Sequence, residues 1–212
     1  MIVDGIRKGN YKYLNSLDVS NNRICGAIGS SAIAQLLVHQ TGEEGTGIRL
    51  ETLNISQNLF EDKHSIKIFQ ALLDPLCYLK NIVMSKIGIT MITGVTVTTS
   101  NEEALEKSRL RSIVLNENLM RSMSVARLSS FLGVSYNLES ISLRSCSLED
   151  QSLKLICERL VAIKNLKKLD CSDNRLTDAC IIESLAPLIE GGMCPPFMQL
   201  NFSQNNITSK GA

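Results

Sequence analysis

One pattern of apolar residues recurs along the whole chain and limits its possible folds more than any other feature. The pattern is clearest at Leu166–Leu176, where apolar residues occupy the first, fourth, sixth and eleventh positions. It starts seven times, near residues 14, 50, 79, 110, 138, 166 and 197. All four positions are apolar in every repeat, although hydrophobic residues make up only 44% of the chain. The pattern therefore predicts a periodic core.

The fourth and sixth positions of each repeat predict a short β-strand, as at Leu17 and Val19. Residues two apart lie on the same face of a strand. A strand with one apolar face can bury that face by stacking against similar units, which is why such repeats form arrays. Between the strands the apolar residues follow helical spacing, as at Leu153, Ile156 and Leu160. Each repeat is therefore expected to hold one strand and one helix.

Two of the expected helices carry details that a structure can test. In the second repeat, a helix over Ser65–Asp74 would place Ile66, Phe69 and Leu73 on one face. In the sixth repeat, Pro187 is expected to bend the helix near its end, because proline lacks a backbone N–H.

An asparagine follows the strand in most repeats. A side-chain amide both donates and accepts hydrogen bonds, so it can satisfy backbone groups of the turn and link neighbouring repeats. The exceptions are Ile87 and Cys146. Because Ile87 can neither donate nor accept through its side chain, we expect the third repeat to have the least regular turn. The asparagines are Asn22, Asn58, Asn118, Asn174 and Asn205.

The third repeat is also unusual after its turn. Thr90–Ser100 is rich in threonine, valine and isoleucine, which are indifferent helix formers. Its helix is therefore expected to be short, or displaced toward Asn101–Ser108. Two interpretations of this irregularity stay open, a binding site and simple sequence drift.

The repeated motif resembles the leucine-rich repeat family over essentially the whole chain. Its usual spacing of about 28–31 residues is similar to that of the ribonuclease-inhibitor-like subclass. That subclass includes ribonuclease inhibitor, the C-terminal domains of NOD-like receptors, RanGAP, tropomodulin and CARMIL. The resemblance implies an α/β solenoid, a horseshoe of about seven repeats with a parallel sheet on the concave side and helices on the convex side. We expect residues 1–212 to form a single domain. Because neither end resembles a polar capping repeat, we expect it to be a fragment of a longer array.

Composition excludes several classes of protein. The chain has 22 basic and 21 acidic residues and a net charge of +1, a balance that argues against disorder and against nucleic-acid binding. No apolar run approaches the roughly 18 residues of a membrane span. We also expect no secretory leader, because the residues after Met1 do not form a basic segment followed by an apolar one. The seven cysteines are odd in number and form no C-x-x-C pair. They are interpreted as reduced thiols of a cytoplasmic, intracellular protein.

No residue pattern indicates catalysis. The two histidines, His39 and His64, have no metal-ligand spacing to cysteine or carboxylate side chains. No serine or cysteine lies in a nucleophile-elbow context. The glycine-rich stretch at residues 42–47 lacks the Lys-Ser/Thr of a phosphate-binding loop. We therefore expect no enzymatic activity, no cofactor, no metal and no small-molecule substrate.

The side chains that alternate with the apolar strand positions point away from the expected core and form a candidate protein-binding surface. They are small, polar and of mixed charge, which suits an extended protein contact rather than nucleic acid. The main expected anchors are Arg144, flanked by Glu117, Asp170 and Asp173, and the exposed pair Val83 and Val114. The candidate residues are Asp18, Asn54, Val83, Lys86, Val114, Glu117, Arg144, Lys168, Asp170, Asp173 and Asn201.

The sequence thus favours a non-catalytic protein–protein interaction scaffold. A partner protein, alone or within a large assembly, would bind along the concave face or at the open ends of the array. The resemblance leaves alternatives open: a RanGAP-like regulator of a small GTPase, a cytoskeletal or axonemal scaffold, or an immune-receptor-type recognition module. The GTPase alternative rests on fold analogy alone.

Overall fold

A single parallel sheet organises the molecule. The computed structural model describes residues 13–38, 49–90, 108–120 and 122–211, together with Gly5 and Tyr11. Within this part of the chain, seven strands lie side by side in sequence order. They are β1 (Ser16–Asp18), β2 (Thr52–Asn54), β3 (Asn81–Val83), β4 (Ser112–Val114), β5 (Ser140–Ser142), β6 (Lys168–Asp170) and β7 (Gln199–Asn201).

All neighbouring strands pair in the same register. The second apolar position of each repeat stands at the centre of its strand, so that Leu17 pairs with Leu53 and Leu53 with Ile82. The same register continues to β7. The repeats read from the sequence are therefore the structural units.

Helices cover one face of this sheet. They are α1 (Gly26–Val38), α2 (Asp62–Leu72), α3 (Ser122–Leu132), α4 (Asp150–Leu160), α5 (Asp178–Cys180) and α6 (Ala186–Glu190), with a π-helical turn at Ile181–Leu185 between the last two. Neighbouring helices pack in pairs, α1 on α2 and α3 on α4. The expected α/β solenoid is confirmed. The third-repeat segment, residues 91–107, lies outside the described residues, so the expectation of a short or displaced helix there stays a prediction.

The buried face of α2 differs from the predicted one. Phe69 is buried as expected, but Ile66 is only half-buried and Leu73 follows the end of the helix. The buried stripe runs instead through Ser65, Ile68, Phe69 and Leu72, a spacing of i, i+3, i+4 and i+7. Ser65 can face the core because its hydroxyl donates to the Asp62 carbonyl at 3.0 Å. A buried serine with a local acceptor is not visible in a hydrophobic pattern.

The helix of the sixth repeat is interrupted just before Pro187 by a π-helical turn. The Ala186 N–H donates to the Ile181 carbonyl, five residues earlier. Pro187 stands at the start of α6. A proline ring clashes with the carbonyl four residues before it, and the widened turn lies over that residue, Glu183. The helix is therefore irregular next to the proline, and the predicted bend itself stays a prediction.

The core runs continuously along the solenoid. Leu50, Leu53, Ile55 and Phe60 of the second repeat have no exposed surface, and the central repeats are equally dry. The outer repeats are only partly covered. Their half-buried apolar side chains are Leu14, Leu17 and Ile24 in the first repeat and Phe197, Phe202 and Ile207 in the last.

Most cysteines belong to this core. Cys77, Cys146, Cys157, Cys171 and Cys180 are buried, and no disulfide links the described residues. Burial raises the pKa of the Cys77 thiol to about 11 and that of Cys146 to about 12. A thiol that stays protonated at neutral pH is a poor nucleophile, so these cysteines act as small apolar core residues.

One left-handed residue closes the turn after every strand. Its φ lies between 53° and 57° in all seven repeats, and in none of them is it glycine. A side chain in this conformation carries strain of about 1–3 kcal/mol. The residues are Asn21, Gln57, Lys86, Glu117, Ser145, Asp173 and Gln204. The turn therefore dictates the direction of one column of candidate binding residues.

Asn118 shows how the asparagines stabilise these turns. Its Nδ2 donates to the Leu115 carbonyl of its own repeat and to the Met84 carbonyl of the preceding one, both at 2.8 Å. Its Oδ1 accepts from the N–H groups of Ile87 and Ile89 at 3.1 and 3.3 Å. One buried amide thus satisfies four backbone groups across two repeats, as predicted.

The two repeats without this asparagine share a different solution. The residues after Ile87 and Cys146, Gly88 and Ser147, adopt a second positive φ of 80° and 57°. This turns the Ile87 carbonyl toward the N–H of Phe60, and the Cys146 carbonyl makes the equivalent bond, each at 3.0 Å. A backbone carbonyl therefore replaces the missing amide oxygen. The third turn is irregular as predicted. The fifth has the same backbone conformation, but its Cys146 thiol still donates to the Leu115 carbonyl at 3.3 Å, whereas Ile87 has no side-chain donor.

Candidate functional site

The sheet face opposite the helices, the concave face, carries the predicted site residues in straight columns. Equal register places Asp18, Asn54, Val83 and Val114 beside one another on β1–β4. The column continues through Ser142, Asp170 and Asn201 on β5–β7. With parallel strands about 4.8 Å apart, seven strands span about 30 Å. None of the eleven predicted residues is buried, so the structure brings them onto one accessible surface.

Four of these residues serve the turns of their own repeats. The side chains of Asp18, Asn54, Asp170 and Asn201 each accept the N–H two residues further on, at 2.8–3.1 Å. The Ser20 hydrogen bonds lower the pKa of Asp18. Such local bonds are a structural role, which weakens the case for these four as partner-binding residues.

The three central repeats lack this cap. Their equivalent residues are Val83, Val114 and Ser142, which do not accept the turn N–H. In two of these repeats, a side chain of the preceding repeat accepts it instead. The Ser85 N–H donates to Ser56 Oγ at 3.1 Å, and the Arg144 N–H donates to Asn116 Oδ1 at 3.0 Å. At the centre of the concave face, these three side chains therefore do not cap the turns of their own repeats.

The surroundings of Arg144 differ from the prediction. Glu117 pairs with Lys86 at 3.7 Å, with both side chains more than half exposed. Asp170 accepts two hydrogen bonds from Ser172, and Asp173 accepts from the Ser145 hydroxyl. The predicted carboxylate neighbours therefore have other partners, and within the described ranges the Arg144 guanidinium has no ion pair.

The remaining predicted anchors keep their places with one adjustment. Val83 and Val114 pair directly across β3 and β4 but are half-buried rather than fully exposed. Lys168 is exposed at the start of β6, beside the column of small polar residues that begins each strand. We define the central concave patch as Val83, Lys86, Val114, Glu117 and Arg144.

A second set of side chains lies where the strands begin, and the motif analysis missed it. The residue before the first apolar position is Arg49, Tyr78 and Arg109 in the second to fourth repeats. The Tyr78 ring centroid lies 5.4 Å from Arg49 Cζ and 3.8 Å from Arg109 Cζ. Both distances fit cation–π contacts. Comparing this column across repeats would have revealed the alternation of tyrosine and arginine.

Two residues further along each repeat, charges pair across neighbouring repeats. Lys80 bonds Glu51 at 2.6 Å. Glu139 accepts from Lys167 at 2.9 Å and also pairs with Arg111. Hydrogen bonds from Lys167 and then Arg111 lower the pKa of Glu139. These basic side chains are already neutralised within the protein.

The described residues hold no group of three or more histidine, cysteine or carboxylate side chains that could bind a metal ion. Within the same ranges, no helix is both long enough and apolar enough to span a membrane.

Comparisons with known proteins agree with this architecture. A family model described as Leucine Rich Repeat matches residues 165–188. Internalin C2 from Listeria monocytogenes str. 4b F2365 has a similar structure, with a TM-score of 0.51 and 17% identity over 93% of this chain and 75% of that one. Internalin F from the same strain gives a TM-score of 0.41 and 14% identity over 95% and 58% of the two chains. No curated protein matches the sequence. The sheet, the motif and the likeness to internalin C2 together identify the fold as an α/β leucine-rich-repeat solenoid.

Proposed function

We propose that this protein is a non-catalytic protein-interaction scaffold whose partner binds the central concave patch. A solenoid of this fold presents an extended surface that is suited to protein binding. The observation that carries the proposal is the break in turn capping. The outer repeats use their concave Asp or Asn to cap the turn, whereas the third to fifth repeats carry Val83, Val114 and Ser142 instead.

The chemistry of the patch indicates what it would bind. Val83 and Val114 supply an apolar centre, and Lys86 and Glu117 form an exposed ion pair at its side. Arg144 contributes a guanidinium without an ion pair in the described structure, and arginine prefers bidentate carboxylate partners. Contacts of this kind near the middle of an interface commonly dominate binding energy. The partner would therefore offer an apolar side chain beside a carboxylate.

Site-specific photo-crosslinking tests this proposal. A photoreactive amino acid replaces Val114 in one protein and the exposed Lys154 of α4 in another, and the crosslinked partners are identified by mass spectrometry. We expect a partner at Val114 whose crosslink is lost in Arg144→Glu and kept in Arg23→Glu, a matched change at an exposed arginine of the first repeat. Crosslinks from Lys154 alone would place the partner on the helical side and contradict the proposal.

A GTP-turnover assay distinguishes the RanGAP-like alternative from the non-catalytic scaffold. If the protein accelerates turnover by a small GTPase, a catalytic regulator replaces the scaffold. The cytoskeletal or axonemal and immune-receptor alternatives would be recognised by the crosslinked partner itself.

We also propose a cytoplasmic location, supported by the buried thiols of the core. Lysis of cells directly into denaturant with an alkylating agent, followed by measurement of the intact mass, tests it, because the denaturant exposes the buried thiols. Seven alkylated cysteines are expected, and native disulfides would contradict it.

A further inference from the structure

We propose a second interaction surface at the edge of the sheet where the strands begin, and that it binds an acidic peptide segment of a partner protein. We define the N-terminal edge patch as Arg49, Tyr78, Arg109, Tyr136 and Lys164. This surface is distinct from the central concave patch, so the inference does not depend on the function proposed above.

The stacked arginines are the first observation. Arg49 and Arg109 are exposed, and their Cζ atoms lie 5.4 and 3.8 Å from the centroid of the half-buried Tyr78 ring. Stacking uses the flat face of a guanidinium and leaves the N–H donors at its rim available. Neither arginine has an ion pair or a side-chain hydrogen bond within the described ranges. Contact with Tyr78 thus orders the guanidinium groups of Arg49 and Arg109 in the unbound protein.

Their neighbours make these two arginines exceptional. Lys80, Arg111 and Lys167 lie along the same edge, but each is paired with Glu51 or Glu139. Within the described edge, the available positive charge therefore lies at the two arginines on Tyr78 and at the exposed Lys164. A carboxylate can meet a guanidinium through two parallel hydrogen bonds, so carboxylate-bearing side chains are the natural ligands.

A cleft in the next repeats is the second observation. It has a volume of about 460 Å³ and is lined by Tyr136, Asn137, Ala162, Lys164 and Asn165. Its volume falls within the range of about 300–1,000 Å³ typical of ligand sites.

The cleft begins one repeat after Arg109. Asn137 stands at the position in its repeat that Arg109 holds in the preceding one, and β4 pairs with β5. Asn137 Nδ2 also donates to the carbonyl of Ser108, next to Arg109, at 2.7 Å. A peptide whose carboxylates meet the arginines could therefore continue into the cleft, toward the exposed Lys164.

The interleaved acidic residues favour a peptide over nucleic acid. Glu51 and Glu139 each lie two residues after this column, and a continuous phosphate backbone would meet both carboxylates. A peptide with separated acidic side chains can place them at the arginines and avoid the glutamates. Tyrosine and arginine are also among the side chains that are enriched at protein-binding hot spots.

Fluorescence polarisation with short labelled probes tests the inference. The probes are a ten-residue Asp/Glu peptide with glycine spacers, the same peptide with Asn/Gln, and a ten-nucleotide single-stranded DNA. We expect the acidic peptide to bind at least about tenfold more tightly than the amide peptide and the DNA. Arg49→Gln/Arg109→Gln should lose about tenfold or more of this affinity, and Arg23→Gln, at an exposed arginine of the first repeat outside both patches, should leave it unchanged.

Two further variants distinguish a built site from diffuse charge. Arg109→Lys keeps the charge but loses the fork, and Tyr78→Leu removes the stacking surface while keeping an apolar side chain. We expect each to weaken peptide binding severalfold, with thermal unfolding confirming that the variants are folded. Full binding by Arg109→Lys, equal affinity for the amide peptide, or tighter binding of DNA would each overturn the inference. Loss of binding in Arg144→Gln would move the site to the concave face.

Discussion

The asparagine turns allow a quantitative test, because the same residue occupies the same place in a buried and in an exposed repeat. Asn118 is 1% exposed and makes four backbone hydrogen bonds shorter than 3.4 Å across two repeats. Asn22 is exposed and bonds only the carbonyls of Val19 and Ser20, both at 3.0 Å. Changing each asparagine to alanine removes the same atoms from different surroundings.

The expected costs follow from the groups left without partners. In Asn118→Ala the N–H groups of Ile87 and Ile89 and the carbonyl of Met84 lose their amide partner in a dry core. A buried unsatisfied backbone group costs about 1–3 kcal/mol, so three such groups should lower the free energy of unfolding by roughly 3–9 kcal/mol. In Asn22→Ala the carbonyls can turn to water, and we expect a loss of about 1 kcal/mol or less.

Urea unfolding followed by circular dichroism measures both costs. Asn174→Ala provides an intermediate case, since Asn174 makes equivalent bonds but is only half-buried. The expected order of destabilisation is Asn118, then Asn174, then Asn22. Equal losses at Asn118 and Asn22 would refute the reasoning, because they would show that the buried amide contributes no more than an exposed one.

Three other predictions follow from the same structure. Leu143→Ala should lower the free energy of unfolding by about 2–5 kcal/mol and Leu14→Ala by less, since Leu143 is fully buried and Leu14 is not; equal losses in urea would contradict this. Both Asp178 oxygens accept from Thr208, which lowers the Asp178 pKa, so its stabilisation exists above pH 4 and disappears as the pH falls. Asp178→Asn should flatten the acid dependence of the urea midpoint, and an unchanged slope would refute it. Glu117→Gly should be at least as stable as Glu117→Ala, because its φ of 56° suits glycine; a clearly lower melting temperature for the glycine variant would argue against strain there.

The repeats, the strands and the order of the sheet could be predicted because they rest on apolar residues at fixed spacing. The centre of every strand is one of the predicted apolar positions, such as Leu53 and Ile82. A register slip by one residue would turn the whole apolar set outward, so the pattern admits one solution.

The sequence-based predictions were wrong or incomplete where polar groups decide the local structure. Ser65 lies in the core because a carbonyl of its own helix accepts its hydroxyl. Ile87 fits its turn because its backbone, and not its side chain, replaces the missing amide oxygen. Both solutions depend on the direction of individual hydrogen bonds, and a pattern of side-chain types does not contain that information.

The candidate site was predictable as a surface but not as a set of partners. Alternation along the strands correctly placed Arg144 and Asp170 on the same face. Alternation could not show that Asp170 accepts hydrogen bonds from Ser172. From sequence spacing alone, Arg144 was an equally good partner for Asp170. Electrostatic pairing on a solenoid runs between repeats, about 28 residues apart in sequence, as in the bond from Lys167 to Glu139.

A division between structural and available polar groups emerges from these contacts. Polar side chains that stabilise the array have a partner in their own or the next repeat, as Asn118 and Lys80 do. A polar side chain that has no such partner does not stabilise the array and is available to bind another molecule. Arg144 is such a side chain on the concave face, and so are the arginines on Tyr78 at the edge. In a repeat protein, the equivalent positions of the other repeats show which polar contacts are needed for stability. A residue that lacks such a contact is therefore a candidate for binding.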